Sequence, residues 1–384
     1  ILVDVVTDPG GDAHSFDFTM AGGPADAAVD QSFSLADGSS PHDSGPVKQG
    51  GYAVTDGDPG PEWDLDDAVC DNGDSPSALG VGPGDTVTCT FTYVKRGHIL
   101  IDKVTVPSGE PQAFDFTLTG GPDGVDSATS LTDDASAWDS GPLRTGSYAA
   151  AEGDTGELWD LTSATCDDGS DPGAISLEPG ETVTCTFTNT KRAVLVIVKE
   201  SIPDDPQDFE FTISGAGYDG ATTLDDDDDA TLPKTDSALL VNGTYVVVEA
   251  DPGPAWDPTA VRCTDSSGSS IGLTDVENRT ASVDLPAGET VTCVFTDTKR
   301  GKIFVEKFVV HEYTGEGFNP REFPFDFDPD WGAGFALEHG EVHDSGWLRG
   351  GERHTVSENP PSRWHVSSEC RYADDTLETG GGSI

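Results

Sequence analysis

Apolar and polar positions alternate in short runs along this chain, and the same succession of runs returns four times. Each round opens on an apolar run: Ile1 to Val6, Ile99 to Val104, Val194 to Lys199 and Ile303 to Phe308. An aromatic alternation follows, in which Phe16 and Phe18, Phe114 and Phe116, Phe209 and Phe211, and Phe325 and Phe327 each flank one acid. Next come the runs Gly51 to Asp56, Gly146 to Glu152, Gly243 to Glu249 and Arg353 to Glu358, then a single Trp at 63, 159, 256 and 364. Three rounds close on a Thr-rich run: Thr86 to Lys95, Thr182 to Lys191 and Thr290 to Lys299. Period-two alternation puts successive side chains on opposite faces, so each run predicts a strand with one buried face. About seven strands per round, with turn signals such as the Asp-Ser-Gly steps at Asp43, Asp139 and Asp344, predict an antiparallel β-sandwich each time.

The repeat sets the expected domains at 1–96, 97–192, 193–300 and 301–384, the fourth divergent and lacking the closing Thr-rich strand. The joints at Arg96, Arg192 and Arg300 leave almost no linker, which predicts a stiff, rod-like array. With 46 Gly, 26 Pro and one Met, the composition suits short strands and turns, not helices. No apolar run is long enough to span a membrane. The start at Ile1, without an initiator Met or leader, is that expected of a processed piece. The missing last strand predicts either that the chain continues beyond Ile384 or that a neighbouring subunit donates a strand, and the first is the simpler.

Charge narrows the partners. The chain carries 71 acidic against 20 basic residues, a net charge of −51, and should repel nucleic acid and anionic membrane surfaces. Such acidity suits a solvated surface, high salt or cation binding. The run Asp225 to Asp229 predicts a solvated loop, the one place where calcium would be sought; no other cofactor is expected. Asn242 and Asn278 head N-glycosylation sequons. His339 and His343 lie four apart in a Gly-rich context that does not suggest a metal site, and no catalytic triad order, phosphate loop or zinc motif is present. An enzyme is therefore not expected.

Seven cysteines fall one pair to a round: Cys70 with Cys89, Cys166 with Cys185, and Cys263 with Cys293, leaving Cys370 over. No Cys-x-x-Cys spacing occurs, so the pairs read as disulfides formed in an oxidising compartment. Cys370 occupies the place of Cys70, Cys166 and Cys263, and its partner is expected on a strand after Ile384.

The strand phases also turn polar groups inward. Asn189 shares a face with Val183, Cys185 and Phe187; Lys103 is in phase with Ile99 and Ile101; Glu152 is in phase with Tyr148. Buried charges must meet or escape, so a Lys, a Glu and an Asn are expected to converge on one core. A desolvated Lys becomes a nucleophile, and a neighbouring Glu can carry the proton. Attack on the Asn carboxamide would release ammonia and leave a Lys to Asn amide crosslink.

At these residues the chain resembles the prealbumin-like or Cna-B-type repeats of surface proteins, which place a Lys on the first strand, a Glu after a Gly-x-Tyr strand and an Asn near the end of the last strand. The resemblance implies an autocatalytic isopeptide bond in the second repeat from Lys103, Glu152 and Asn189. In the third repeat it implies one from Lys199, Glu249 and Asp297, with water released in place of ammonia. The fourth repeat offers Lys307 and Glu358. The first has Val5, Asp56 and Tyr93 at these positions, which excludes a crosslink there; the joint change is what partners would show.

The function expected is that of a secreted or cell-surface structural protein, part of a fibre, filament, pilus-like stalk or adhesin. Its partners would be further copies of such repeats or a longer chain. The alternative is a glycan- or protein-binding adhesive module, its site in the acidic loops or on the fourth repeat, where Trp331, Phe335 and Trp347 gather.

Overall fold

A computed structural model of the chain describes residues 1–227, 231–310, 324–360, 364–372 and 377–380. It forms two compact units, residues 1–192 and 193–384, with two repeats in each. The first repeat shows the plan. Its strands are β1 (Leu2–Asp8), β2 (Phe16–Gly22), β3 (Val29–Leu35), β4 (His42–Asp43), β5 (Gly50–Asp56), β6 (Trp63–Cys70), β7 (Leu79–Val81) and β8 (Thr88–Lys95). They form two four-stranded sheets, in the orders β4-β1-β8-β6 and β3-β2-β5-β7. Between the sheets lie the inward halves of the alternating runs, among them Val3, Phe18, Met20, Tyr52, Phe91 and Tyr93.

One pairing departs from the antiparallel expectation. β1 and β8, the first and last strands, run parallel, from Leu2 opposite Thr88 to Asp8 opposite Val94. Parallel neighbours need a long connection between them, and here the whole remainder of the repeat provides it. The second repeat repeats this with His98–Val106 against Thr182–Lys191, and the third with Ala193–Ile202 against Thr290–Lys299. The lone Trp of each round is a core plug: Trp63, Trp159 and Trp256 are buried, edge-on to Phe16, Phe114 and Phe209. Burying such a ring favours folding by about 1.5–3 kcal/mol. At Gly120, φ is +115° and an added Cβ would lie 2.6 Å from the Ser147 carbonyl, so only glycine fits the turn after the aromatic strand.

The third repeat is longer. Its cysteines are 30 residues apart where the first two repeats have 19, and the insertion builds a hairpin from Leu273–Asp275 and Thr280–Leu285 that widens one sheet to five strands. The acidic run is not wholly a solvated loop. Asp225 and Asp226 end the strand Tyr218–Asp226 and are each 3% exposed. Burial is tolerated because Asp226 accepts from the Ser201 backbone N–H at 2.7 Å and pairs with Lys234 at 2.6 Å, while Asp225 accepts from Thr231 at 3.1 Å. Asp228 and Asp229 lie outside the described residues.

In the fourth repeat Phe325–Pro329 pairs with Phe335–Leu337 and Val356–Asn359, and Phe304–Glu306 pairs with Val342–Asp344. A short closing ladder joins Ser368–Arg371 to Leu377–Gly380, with Glu378 opposite Cys370 where the other repeats have a second cysteine.

Candidate functional site

The buried polar cluster of the second repeat straddles both sheets. Along His98–Val106 every second residue is buried, which takes Lys103 inside with Ile99 and Ile101. In the parallel ladder Phe187 faces Lys103 and Asn189 faces Thr105, so Lys103 and Asn189 are diagonal neighbours on the inner face. Glu152 arrives from the opposite sheet, at the end of Gly146–Glu152. Lys103 Nζ lies 3.6 Å from Glu152 Oε1, with side-chain exposures of 0% and 2%. It donates to the carbonyls of Val104 at 2.9 Å and Phe187 at 3.2 Å, and sits 4.2 Å from the centre of the Phe114 ring.

Burial depresses the Lys103 pKa, only partly opposed by Glu152; burial raises that of Glu152, opposed by Lys103 and Asn189. Both shifts move toward a neutral amine beside a proton-carrying acid. Both Glu152 oxygens and both polar atoms of Asn189 are buried without a hydrogen-bond partner. Such groups are costly unless they react or find partners.

The third repeat builds the same cluster more tightly. Lys199 Nζ donates a hydrogen bond to Asp297 Oδ2 and lies 3.1 Å from Glu249 Oε1, all three side chains being buried. Burial pushes the Glu249 pKa up to about 8, with Lys199 opposing and Asp297 adding to the rise. A fourth member, invisible to strand phase, is Arg279: its Nε is 3.6 Å from Asp297 Oδ1 and 4.0 Å from Glu249 Oε2. Its one sequence signal is the wider cysteine spacing, which announces an extra hairpin.

In the fourth repeat Lys307 and Glu358 pair at 2.5 Å beneath Phe325. In the first repeat Val5 is a core residue, and Tyr93 Oη donates to Asp56 Oδ2 at 3.3 Å with its ring stacked on Phe16. Burial raises the Tyr93 pKa, and Asp56 raises it further. No amine is present there, and a phenol–carboxylate bond takes the place of the triad.

Disulfides join Cys70 to Cys89, Cys166 to Cys185 and Cys263 to Cys293, each between residues directly opposite in an antiparallel ladder. Cys370 is half-buried. Asn242 and Asn278 are exposed, and Asn278 Nδ2 donates to Asp275 at 2.7 Å. Among the described residues no three His, Cys, Asp or Glu side chains converge on a cation site. In the fourth repeat Phe335 stacks on Phe327 and His343, Trp331 meets His354 edge-on, and Lys302 lies over the exposed Trp347.

A polar joint ties the first two repeats. Arg96 forks onto Asp64 at 2.9 and 2.8 Å, Arg144 reaches the same carboxylate at 3.2 Å, and His98 bridges Glu62 at 3.2 Å and Asp139 at 2.9 Å.

A search of curated protein sequences finds no match. Among solved structures, the Bacillus anthracis TIE protein aligns at 15% identity and a TM-score of 0.33 over 96% of this chain, which spans 66% of that one. The major pilin T-13 of Streptococcus pyogenes aligns at 13% and 0.24, over 53% of this chain and 97% of its own. The pilus adhesin SpaC of Lactobacillus rhamnosus GG aligns at 14% and 0.23, over 78% and 44%. A family model described as a prealbumin-like fold domain matches residues 99–191 and 195–299, and a second model of the same description matches residues 1–91. On those matches, which cover the first three repeats, the chain belongs to the prealbumin-like fold domain family.

Proposed function

We propose that the chain is an extracellular structural protein, a segment of a cell-surface filament, pilus-like stalk or adhesin, in which the second and third repeats seal themselves with an intramolecular amide. One observation carries this: in both repeats a fully buried lysine on the first strand meets a buried glutamate, with a buried amide or carboxyl group beside it on the last strand. Three intradomain disulfides suit the same oxidising, load-bearing setting. The cluster's side chains act on one another and are closed off from solvent, so the chemistry is self-modification, not turnover.

Intact-mass spectrometry of the full chain tests the reading. After allowance for the disulfides, the expected deficit is one ammonia in peptides linking Lys103 to Asn189 and one water in those linking Lys199 to Asp297. A mass equal to that of the disulfide-bonded chain would sink the amide proposal and leave a non-covalent cluster.

A further inference from the structure

The Asp297 of the third repeat stands where the second has Asn189, and the exchange buries an extra negative charge. Among the described residues the second cluster has no arginine within ion-pair reach, whereas the third has Arg279. We infer that Arg279 is a catalytic residue of the third repeat, an oxyanion-stabilising donor aimed at Asp297 Oδ1 during amide formation. The inference rests on the condensation proposed above for Lys199 and Asp297.

Four observations carry it. Arg279 Nε and Asp297 Oδ1 are both buried without a hydrogen-bond partner, a donor and an acceptor 3.6 Å apart. A closure of about 0.7 Å would bring them to ordinary bonding distance. The second observation is selectivity between oxygens: Lys199 holds Oδ2, while Arg279 faces Oδ1, which stays with the carbonyl carbon. Third, Arg279 is one of two non-glycine residues with positive φ among the described residues, at +52°, a strained conformation held by its turn, in which Asp275 accepts from the Asn278 N–H at 3.1 Å. Fourth, its carbonyl accepts from the Glu249 N–H at 3.0 Å, so one residue positions the proton carrier and faces the reacting carboxyl.

The step balances within the cluster. Lys199 Nζ passes a proton to Glu249 and attacks Asp297 Cγ, and negative charge gathers on Oδ1 opposite the guanidinium. The Cγ–Oδ2 bond then breaks. Oδ2 leaves as water with two protons that began on the ammonium, the third remains as the amide N–H, and Glu249 ends as it started. Neither oxidant nor reductant is involved. Fixed donors directed at a developing oxyanion accelerate such steps by about 10²–10³-fold.

The test is a time course of the full chain made by cell-free synthesis under oxidising conditions and quenched in acid, following water loss in the Lys199–Asp297 peptides. Arg279→Gln is expected to slow this loss about a hundredfold, while ammonia loss in the second repeat keeps its rate. Arg279→Lys keeps the charge but loses the directed fork, and is expected to slow it about tenfold. An intact Cys263–Cys293 disulfide certifies the fold of each variant. If Arg279→Gln fails to fold, Arg279→Lys decides, and a wild-type rate there overturns the role. Wild-type rates in both variants overturn the role of Arg279 alone. Absence of water loss in the unmutated chain overturns the condensation of the third repeat and this assignment with it.

Discussion

Tyr93 donates to Asp56 at 3.3 Å in the first repeat, at the two positions that Asn189 and Glu152 hold in the second. A neutral donor on a carboxylate, stacked on Phe16, thus occupies the space of the amine-containing triad. Tyr93→Phe removes that hydrogen bond while keeping the ring. The expected loss is about 1 kcal/mol, read as a fall of several degrees in the melting of the first repeat. Unchanged melting would mean that the ring stack alone holds the site.

Lys103 and Glu152 should not be separable. Lys103→Met leaves a buried carboxylate without its cation and is expected to cost about 3–5 kcal/mol. The double variant Lys103→Met/Glu152→Gln should recover part of that loss, since no charge is then stranded. Denaturant unfolding of both variants, neither of which can form the amide, reads the difference. Equal stabilities would show that the two side chains do not interact.

The joint between the first and second repeats should respond to pH. Burial tends to lower the His98 pKa, but Asp139 and Glu62 together outweigh it and the net shift is upward. A raised folded value means that the stabilisation is complete below the unfolded pKa of about 6.5 and is lost as pH rises through the folded value. An NMR titration of His98 should give a midpoint above that of an unperturbed histidine, and Glu62→Gln should lower it. A midpoint that Glu62→Gln leaves in place would remove Glu62 from the joint.

Asp226 should behave as a core residue despite its acidic surroundings. Asp226→Ala leaves the Ser201 N–H without its acceptor and Lys234 without its partner, at an expected cost of about 1–3 kcal/mol. Thermal unfolding checks this against Asp219→Ala, an exposed acid of the same strand, which is expected to be nearly silent. Equal effects would return Asp226 to the class of solvated acids.

Period-two phase was enough to turn Lys103, Glu152 and Asn189 inward, because a strand's side-chain direction follows from counting alone, and the resemblance carried the same places to Lys199, Glu249 and Asp297. It failed for Arg279, which lies on a turn where counting gives no direction, and for Asp225 and Asp226, whose burial depends on Ser201, Thr231 and Lys234. The parallel pairing of first and last strands was equally hidden. Alternation states which face is buried but carries no trace of which strand lies alongside, and the changes at Asp56 and Tyr93 read as a loss when they are also a replacement.

That parallel pairing governs how a repeat bears tension. Its entrance and exit strands lie side by side and point the same way, from His98 beside Thr182 to Val106 beside Thr190. Pulling the ends apart drags them in opposite senses along a common axis, so the rungs of the ladder are strained together instead of opening one after another like a zip. A covalent link from Lys103 to Asn189 would join these same two strands near the exit, shunting the load past most of the residues between them.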